Sequence, residues 1–288
     1  MSEKEKWREY YTDGELKRLQ NIERSALKAF IDVCGKFNLE YFVYGGTLLG
    51  VEKYNGMIPW DDDIDVALPR ESYNKLLELG SEAFSSDYFL QTPYNCPKSP
   101  FPYAKLRVKG TKYVEYVNRN IDIESGIYID IYPVDKIPDD EKSRRAQYKR
   151  VRKWILIYVC RQSRLYDKKA NGIKGFLKNI ARRIVCNCLK VFPQKYCINK
   201  IDYYMTEYNN ADCKRYAALN SPNYDNIYLN LYPLQSGKFD DLIVKLPGDY
   251  KTHLKMRYGD YSALPAEEKR VGHIPYILDL GDKNENKS

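Results

Sequence analysis

Between Ile58 and Leu68 the chain reads Ile-Pro-Trp-Asp-Asp-Asp-Ile-Asp-Val-Ala-Leu, placing acids directly ahead of and inside a run fit only for a buried strand. Successive strand side chains point to opposite faces, so Asp63 and Asp65 share one face and Ile64 and Val66 take the other. Carboxylates one strand repeat apart, roughly 6.6 Å along the backbone, repel unless a cation or a proton neutralises them. Acids alternating with apolar residues in a core strand are costly without a partner. The fold must therefore carry a sheet with one acidic face and bring something to that face. Just upstream, Tyr41-Phe42-Val43-Tyr44 reads as a second strand, followed by a small-residue turn, Gly45-Gly46-Thr47-Leu48-Leu49-Gly50, and a short helix through Val51. A glycine turn offers backbone N–H groups that approach a phosphate closely. A triple Asp also occurs in solvated turns, and Gly-Gly in any tight turn. The apolar setting favours a metal and phosphate site.

A second apolar strand, Ile127–Tyr132, carries one acid, Asp130, between Ile129 and Ile131. Such an acid either pairs with a nearby Lys or Arg or joins the earlier acids. In two-metal phosphoryl transfer, carboxylates from neighbouring strands clamp cations about 3.5–4 Å apart. In that arrangement Asp130 completes the clamp or accepts the proton of an attacking hydroxyl.

The glycine turn, the Trp60–Asp65 run and the Ile129-Asp130-Ile131 strand resemble the LicD family of phosphocholine transferases, which is similar to fukutin-type phosphotransferases. The resemblance continues through Lys105, Thr111 and Tyr128–Asp135. It returns at Leu246-Pro247-Gly248-Asp249-Tyr250, Tyr258-Gly259-Asp260-Tyr261, Pro265, Arg270 and His273. It implies a polymerase-β-like nucleotidyltransferase fold: an α/β (α+β) architecture with a mixed sheet flanked by helices, here carrying a basic helical insertion. It further implies Mg²⁺ (or Mn²⁺) held by Asp63, Asp65 and Asp130, and transfer of phosphocholine or a related phospho-alcohol from CDP-choline or another CDP-alcohol to a glycan hydroxyl, the glycan often being lipid-linked. Gly45, Gly46 and Thr47 are expected at a donor phosphate, Asp61 at a metal-bound water or the acceptor. Lys53, Lys105, Arg107 and Arg270 are candidate phosphate contacts, and His273 is expected to close the site. A quaternary ammonium needs ring faces, since it has no hydrogen to donate; Tyr44, Tyr54 and Trp60 are the nearest candidates for a choline cage. The chain departs from the family at Lys53-Tyr54, where relatives carry Arg-His, and at Ile274, where many have a second histidine. Lysine keeps the charge but not the two-pronged guanidinium geometry.

At 288 residues and 43% apolar content the chain can bury one sizeable core with an appended subdomain. Met1–Leu19 is polar and charged, unlike an export signal. Seven scattered cysteines do not form a secreted disulfide pattern. These features lead to the expectation of a cytoplasmic protein, peripheral on a membrane's inner face. Cys186, Cys188, Cys197 and Cys213 lack paired Cys-x-x-Cys spacing and read as packing residues rather than a zinc site.

The net charge of +8 is uneven: Lys142–Lys200 holds 18 Lys and Arg against one acid, Asp167, leaving the remainder at −9. Within it Ile173, Phe176, Leu177, Ile180, Ile184, Cys188 and Leu189 recur at helical spacing, with Lys174, Lys178, Arg182 and Arg183 largely opposite. Arg144–Val159 reads as a preceding basic helix. Three readings stay open: an amphipathic pair packed on the core, helices lying on an anionic membrane, or nucleic-acid binding, for which no recognised module is present. The expected organisation is a catalytic core at 1–140, the basic helical insertion at 141–210 and a C-terminal segment, 211–288, completing the catalytic domain. Helices are expected at Glu15–Phe37, from Pro69 to about Leu79, at Ile201–Asn209 and near Tyr250–Tyr258. Tyr103–Val108 and Lys112–Asn118 are expected strands, and Asp282–Ser288 a disordered tail.

Overall fold

A computed structural model describes residues 9–162, 172–220, 227–263, 265–267, 270, 272–273 and 275–281; the expected tail, 282–288, lies outside them. The core opens with α1 (Asp13–Phe37), β1 (Phe42–Val43), α2 (Gly45–Tyr54), β2 (Asp65–Pro69), α3 (Arg70–Leu79), β3 (Tyr88–Gln91), β4 (Ala104–Val108), β5 (Lys112–Glu115) and β6 (Tyr128–Ile137). Three helices follow: α4 (Glu141–Gln162), α5 (Gly172–Leu189) and α6 (Gln194–Met205). The chain then returns through β7 (Arg215–Ala217), β8 (Ile227–Tyr228), β9 (Gln235–Phe239), β10 (Leu242–Leu246), α7 (Tyr250–Tyr258) and β11 (Pro275–Asp279).

The central sheet is mixed, with strand order β1-β2-β6-β4-β3, and β7 and β8 extend it from β6. β2 and β6 run parallel, and the other pairs are antiparallel. This is the α/β class expected. One face of the sheet is apolar: Ile64, Val66, Ile129, Ile131, Leu106 and Leu90 are fully buried with Leu27 and Phe30 of α1. The helix α1 starts at a capping box in which Thr12 and Glu15 satisfy each other's backbone N–H, a pattern that fixes a helix start. The turn expected at Gly45-Gly46 is instead the first turn of α2, whose N-cap is Tyr44.

The helices α4 and α6 build a second core around Ile137, Val151, Ile155, Tyr158, Ile198 and Ile201. They join the sheet through Arg70, which donates to both Asp135 oxygens at 2.8 and 2.5 Å and reaches Asp202 at 3.2 Å. Cys186 and Cys197 are buried, Cys188 is exposed, and among the described residues no cysteine belongs to a metal-sized cluster. No helix among the described residues is long and apolar enough to cross a membrane.

The C-terminal part contains strands the sequence reading missed. β9 and β10 form a hairpin turned by Asp240 at φ 53°, and β11 pairs with β5. The helix α7 matches its expected span, and it buries His253, whose ring stacks on Tyr228 at 4.0 Å and whose Nδ1–H donates to the Ile227 carbonyl. Burial, with the Arg257 charge adding to it, pushes this imidazole from 6.5 down to about 4. The unfolded chain therefore takes up a proton between pH 6.5 and 4 that the folded chain refuses. That contribution to stability is complete above pH 6.5 and falls as pH drops, a loss of about 3 kcal/mol below pH 4. Urea unfolding midpoints across this window should show the decline, and His253→Gln should flatten it by the same amount.

Candidate active site

The acidic face is built by strand register. Asp65 on β2 lies opposite Asp130 on β6, and Asp130 lies opposite Lys105 on β4. Register partners in adjacent strands point to the same side, so two acids and a lysine form one row across three strands. Asp63 precedes the strand itself, and Asp61 and Asp62 precede it in turn. The row ends against the start of α2: a Cβ on Gly45 would lie 2.6 Å from Asp65 Oδ2, and one on Gly46 would lie 2.9 Å from Asp61 Oδ2. Gly45 also sits at φ 58°, where a side chain is strained. Both glycines are therefore required to let the carboxylates approach the helix N-terminus. Thr47 is buried, and its hydroxyl accepts the Asp65 backbone N–H at 2.8 Å. It pins the acidic strand, where a phosphate contact was expected.

The electrostatics are strained toward a cation. Burial first, then the neighbouring carboxylates, push Asp61 and Asp65 well above the usual carboxylate range. Asp63 is also raised, mainly by burial, against the pull of His273. Asp65 Oδ1 is buried with no hydrogen-bond partner. Glu23 of α1, 2% exposed, faces the Asp61–Asp63 run and is raised by burial and by those acids. Among the described residues, His273 and Arg257 are the cations facing these acids, and Lys105 pairs with Asp130 beside them. An all-oxygen set with surplus negative charge and an orphaned carboxylate oxygen fits a hard divalent cation. Among the described residues, the group of three metal-capable side chains whose ligand atoms lie within 4.8 Å of one another is Asp62, Asp63 and His273. Two of its members are already engaged. Asp62 Oδ2 accepts from Tyr11 and Tyr113 at 2.5 and 2.9 Å, and Oδ1 accepts the His273 backbone N–H at 2.8 Å. The hydrogen bond to Asp62, then the charges of Asp63 and Asp62, raise the His273 pKa to about 11. Asp62 and His273 tie the C-terminal segment to the acid cluster.

Several expected contacts are redirected. The Lys105 ammonium, 1% exposed, lies 2.5 Å from Asp130 Oδ1 and over the rings of Tyr128, Phe101 and Tyr103, at 3.4, 4.1 and 5.5 Å. The ion-pair reading of Asp130 thus holds on one oxygen. The other accepts from Tyr132 and Tyr103 at 3.2 and 3.3 Å. Arg107 is buried, donating to Gln91 and the Gly126 carbonyl. Lys53 donates to the carbonyls of Tyr261, Ser262 and Ala263 and holds that loop. Each spends its charge on fixed protein acceptors. Arg270 stacks over Trp60 at 5.1 Å and donates to the Pro265 carbonyl.

The three aromatic residues expected as one cage are split. Trp60 and Tyr54 pair edge-on at 6.2 Å, with Arg270 on the Trp60 ring. Tyr44 packs instead on Tyr132 at 5.3 Å, and Tyr132 on Tyr103 at 4.5 Å. Tyr103, Tyr132, Arg257 and Glu23 were not singled out from the sequence. Glu23 had a signal, lying between Leu19 and Leu27 on the buried stripe of α1. The others had none beyond abundance.

Comparison with known proteins gives this geometry a family context. Residues 38–156 match the family model for the LicD/FKTN/FKRP nucleotidyltransferase domain, a span that contains the whole acidic row. The chain is 25% identical over 263 residues to the lipopolysaccharide cholinephosphotransferase LicD of Haemophilus influenzae, covering 90% of this chain and 95% of that protein. It is also 36% identical over 73 residues to an uncharacterized Rickettsia typhi protein, 23% of each chain.

Proposed function

We propose that this chain is a LicD-type, Mg²⁺-dependent transferase that moves phosphocholine from CDP-choline, or the phospho-alcohol of a related CDP-alcohol, to a hydroxyl of a lipopolysaccharide-type glycan. The observation that carries it is the Asp65–Asp130–Lys105 row set against the glycine start of α2. The near full-length similarity to a cholinephosphotransferase supports the choice of transferred group.

Asp63 and Asp65 would hold Mg²⁺, with Asp130 tied to Lys105 beside them; Mn²⁺ suits the same oxygen set. Such an ion supplies neutralisation of the donor diphosphate and of the charge developing on the departing nucleotide. The acceptor hydroxyl oxygen forms a bond to the choline-bearing phosphorus. The bond from that phosphorus to the bridging oxygen breaks, and CMP leaves with the electron pair. The hydroxyl proton passes to Asp61, whose proton affinity is raised by burial and its neighbours. Asp130 is the poorer base, since Lys105 and two tyrosine hydroxyls already occupy its oxygens. Tyr44, Tyr132 and Tyr103, next to Asp130, form the ring wall for the choline ammonium. Arg257, close enough to Asp65 to lower its proton affinity, is placed for a donor phosphate.

Incubating the purified protein with Mg²⁺, CDP-choline and lipopolysaccharide should release free CMP and leave phosphocholine on the glycan. A nucleotide joined covalently to the acceptor would instead identify a nucleotidyltransferase. No turnover with any CDP-alcohol would indicate an inactive interaction module.

A further inference from the structure

The helix α5 presents to solvent what an amphipathic helix normally hides. Phe176, Leu177, Ile180 and Ile184 are 65, 57, 39 and 57% exposed. At 3.6 residues per turn these four share an arc of about 100°, while Gly175, Asn179, Arg182 and Cys186 make up the less exposed side. The packed side faces α4, so the apolar arc points away from the body. Among the described residues, no side chain of α5 joins any of the apolar clusters of the fold. The simplest expectation, an amphipathic pair packed on the core, therefore holds for α4, through Val151, Ile155 and Tyr158, and fails for α5.

The charges flank that arc on both sides. Lys174 and Lys178 border one edge, and Arg183 the other; all three are exposed. The helix contains no acidic residue. An apolar strip between two basic borders matches the layered chemistry of an anionic bilayer surface, with acyl chains below and phosphates at the level of the lysines. We infer that α5 lies in the plane of an anionic membrane, inserting Phe176, Leu177, Ile180 and Ile184 between the lipids and placing its basic borders on the headgroups. An acidic protein would satisfy the borders but not the apolar centre, and a second copy of α5 would set like charges against each other.

The test is sedimentation of the full chain with vesicles, in the absence of nucleotide, so that its outcome is separate from any failure of the transferase reading. Vesicles containing about one third phosphatidylglycerol should bind the protein, and phosphatidylcholine alone should bind it at least tenfold more weakly. Two variants, Leu177→Asp with Ile180→Asp, and Lys174→Glu with Lys178→Glu and Arg183→Glu, should each reduce binding tenfold or more. Both change only exposed positions, and circular dichroism should show their helix content unaltered. Absence of vesicle binding, equal binding to both lipid compositions, or wild-type binding by both variants would overturn the inference. So would a solution dimer that Leu177→Asp with Ile180→Asp dissociates while lipid binding is nil.

Discussion

Replacing Lys105 by methionine should lower the stability of the metal-free protein by about 3–5 kcal/mol, the range measured when one member of a buried ion pair is removed. The ammonium is 1% exposed, sits 2.5 Å from Asp130 Oδ1 and is enclosed by three aromatic rings. Without it, the 6% exposed Asp130 keeps two tyrosine hydroxyls as donors and no cation. Methionine fills much the same volume, so the loss reports charge rather than packing. For a chain of this size the thermal midpoint should fall on the order of 10 °C. The double variant Lys105→Met with Asp130→Asn removes both charges and should recover most of that loss. Equal stability of Lys105→Met and wild type, measured in EDTA, would mean that the pair does not hold the row together.

The second large effect has opposite signs for stability and activity. Asp65→Asn keeps the shape that fits against Gly45 but removes a buried carboxylate held unfavourably by its neighbours. A carboxylate whose pKa is raised in the folded state destabilises that state at neutral pH. The substitution should therefore raise the thermal midpoint of the metal-free protein. Activity should fall at least 10³-fold, about 4 kcal/mol of transition-state stabilisation. A gain in stability paired with a loss of turnover is the signature of a residue kept for chemistry. Loss of both together would indicate a structural acid.

The acidic row was legible because it depends only on local periodicity. Alternation between Ile64 and Val66, and again between Ile129 and Ile131, assigns Asp65 and Asp130 to the face opposite the core without any tertiary knowledge. What the chain does with its cations was not legible. Lys53, Lys105 and Arg107 all looked like phosphate ligands, because a charge in a sequence carries no record of its partner. Lys53 meets carbonyls more than 200 residues away. Asp62 was passed over as one of three adjacent acids, yet it binds Tyr11, Tyr113 and the His273 backbone, the first two 51 positions distant and the last 211. Among the C-terminal strands, Gln235–Phe239 is mostly polar and exposed and left no apolar alternation to read, whereas Leu242–Leu246, with Val244 and Leu246 buried, carried an apolar run that went unused. The Asp240-Asp241 pair at the hairpin turn was the other available signal. The basic helix was found by its spacing, but periodicity locates an apolar stripe without saying whether protein covers it. In α5 it is left bare.

The claim on which the catalytic account rests is that Asp63 and Asp65 are kept together at such electrostatic cost in order to hold a divalent cation. Titration of Mn²⁺ into the metal-free protein, followed by loss of the free-ion electron paramagnetic resonance signal, reads this directly and without substrate. Saturable binding that Mg²⁺ displaces, and that Asp63→Asn with Asp65→Asn abolishes, is the result the account predicts. Indistinguishable titrations for wild type and the double variant would contradict it.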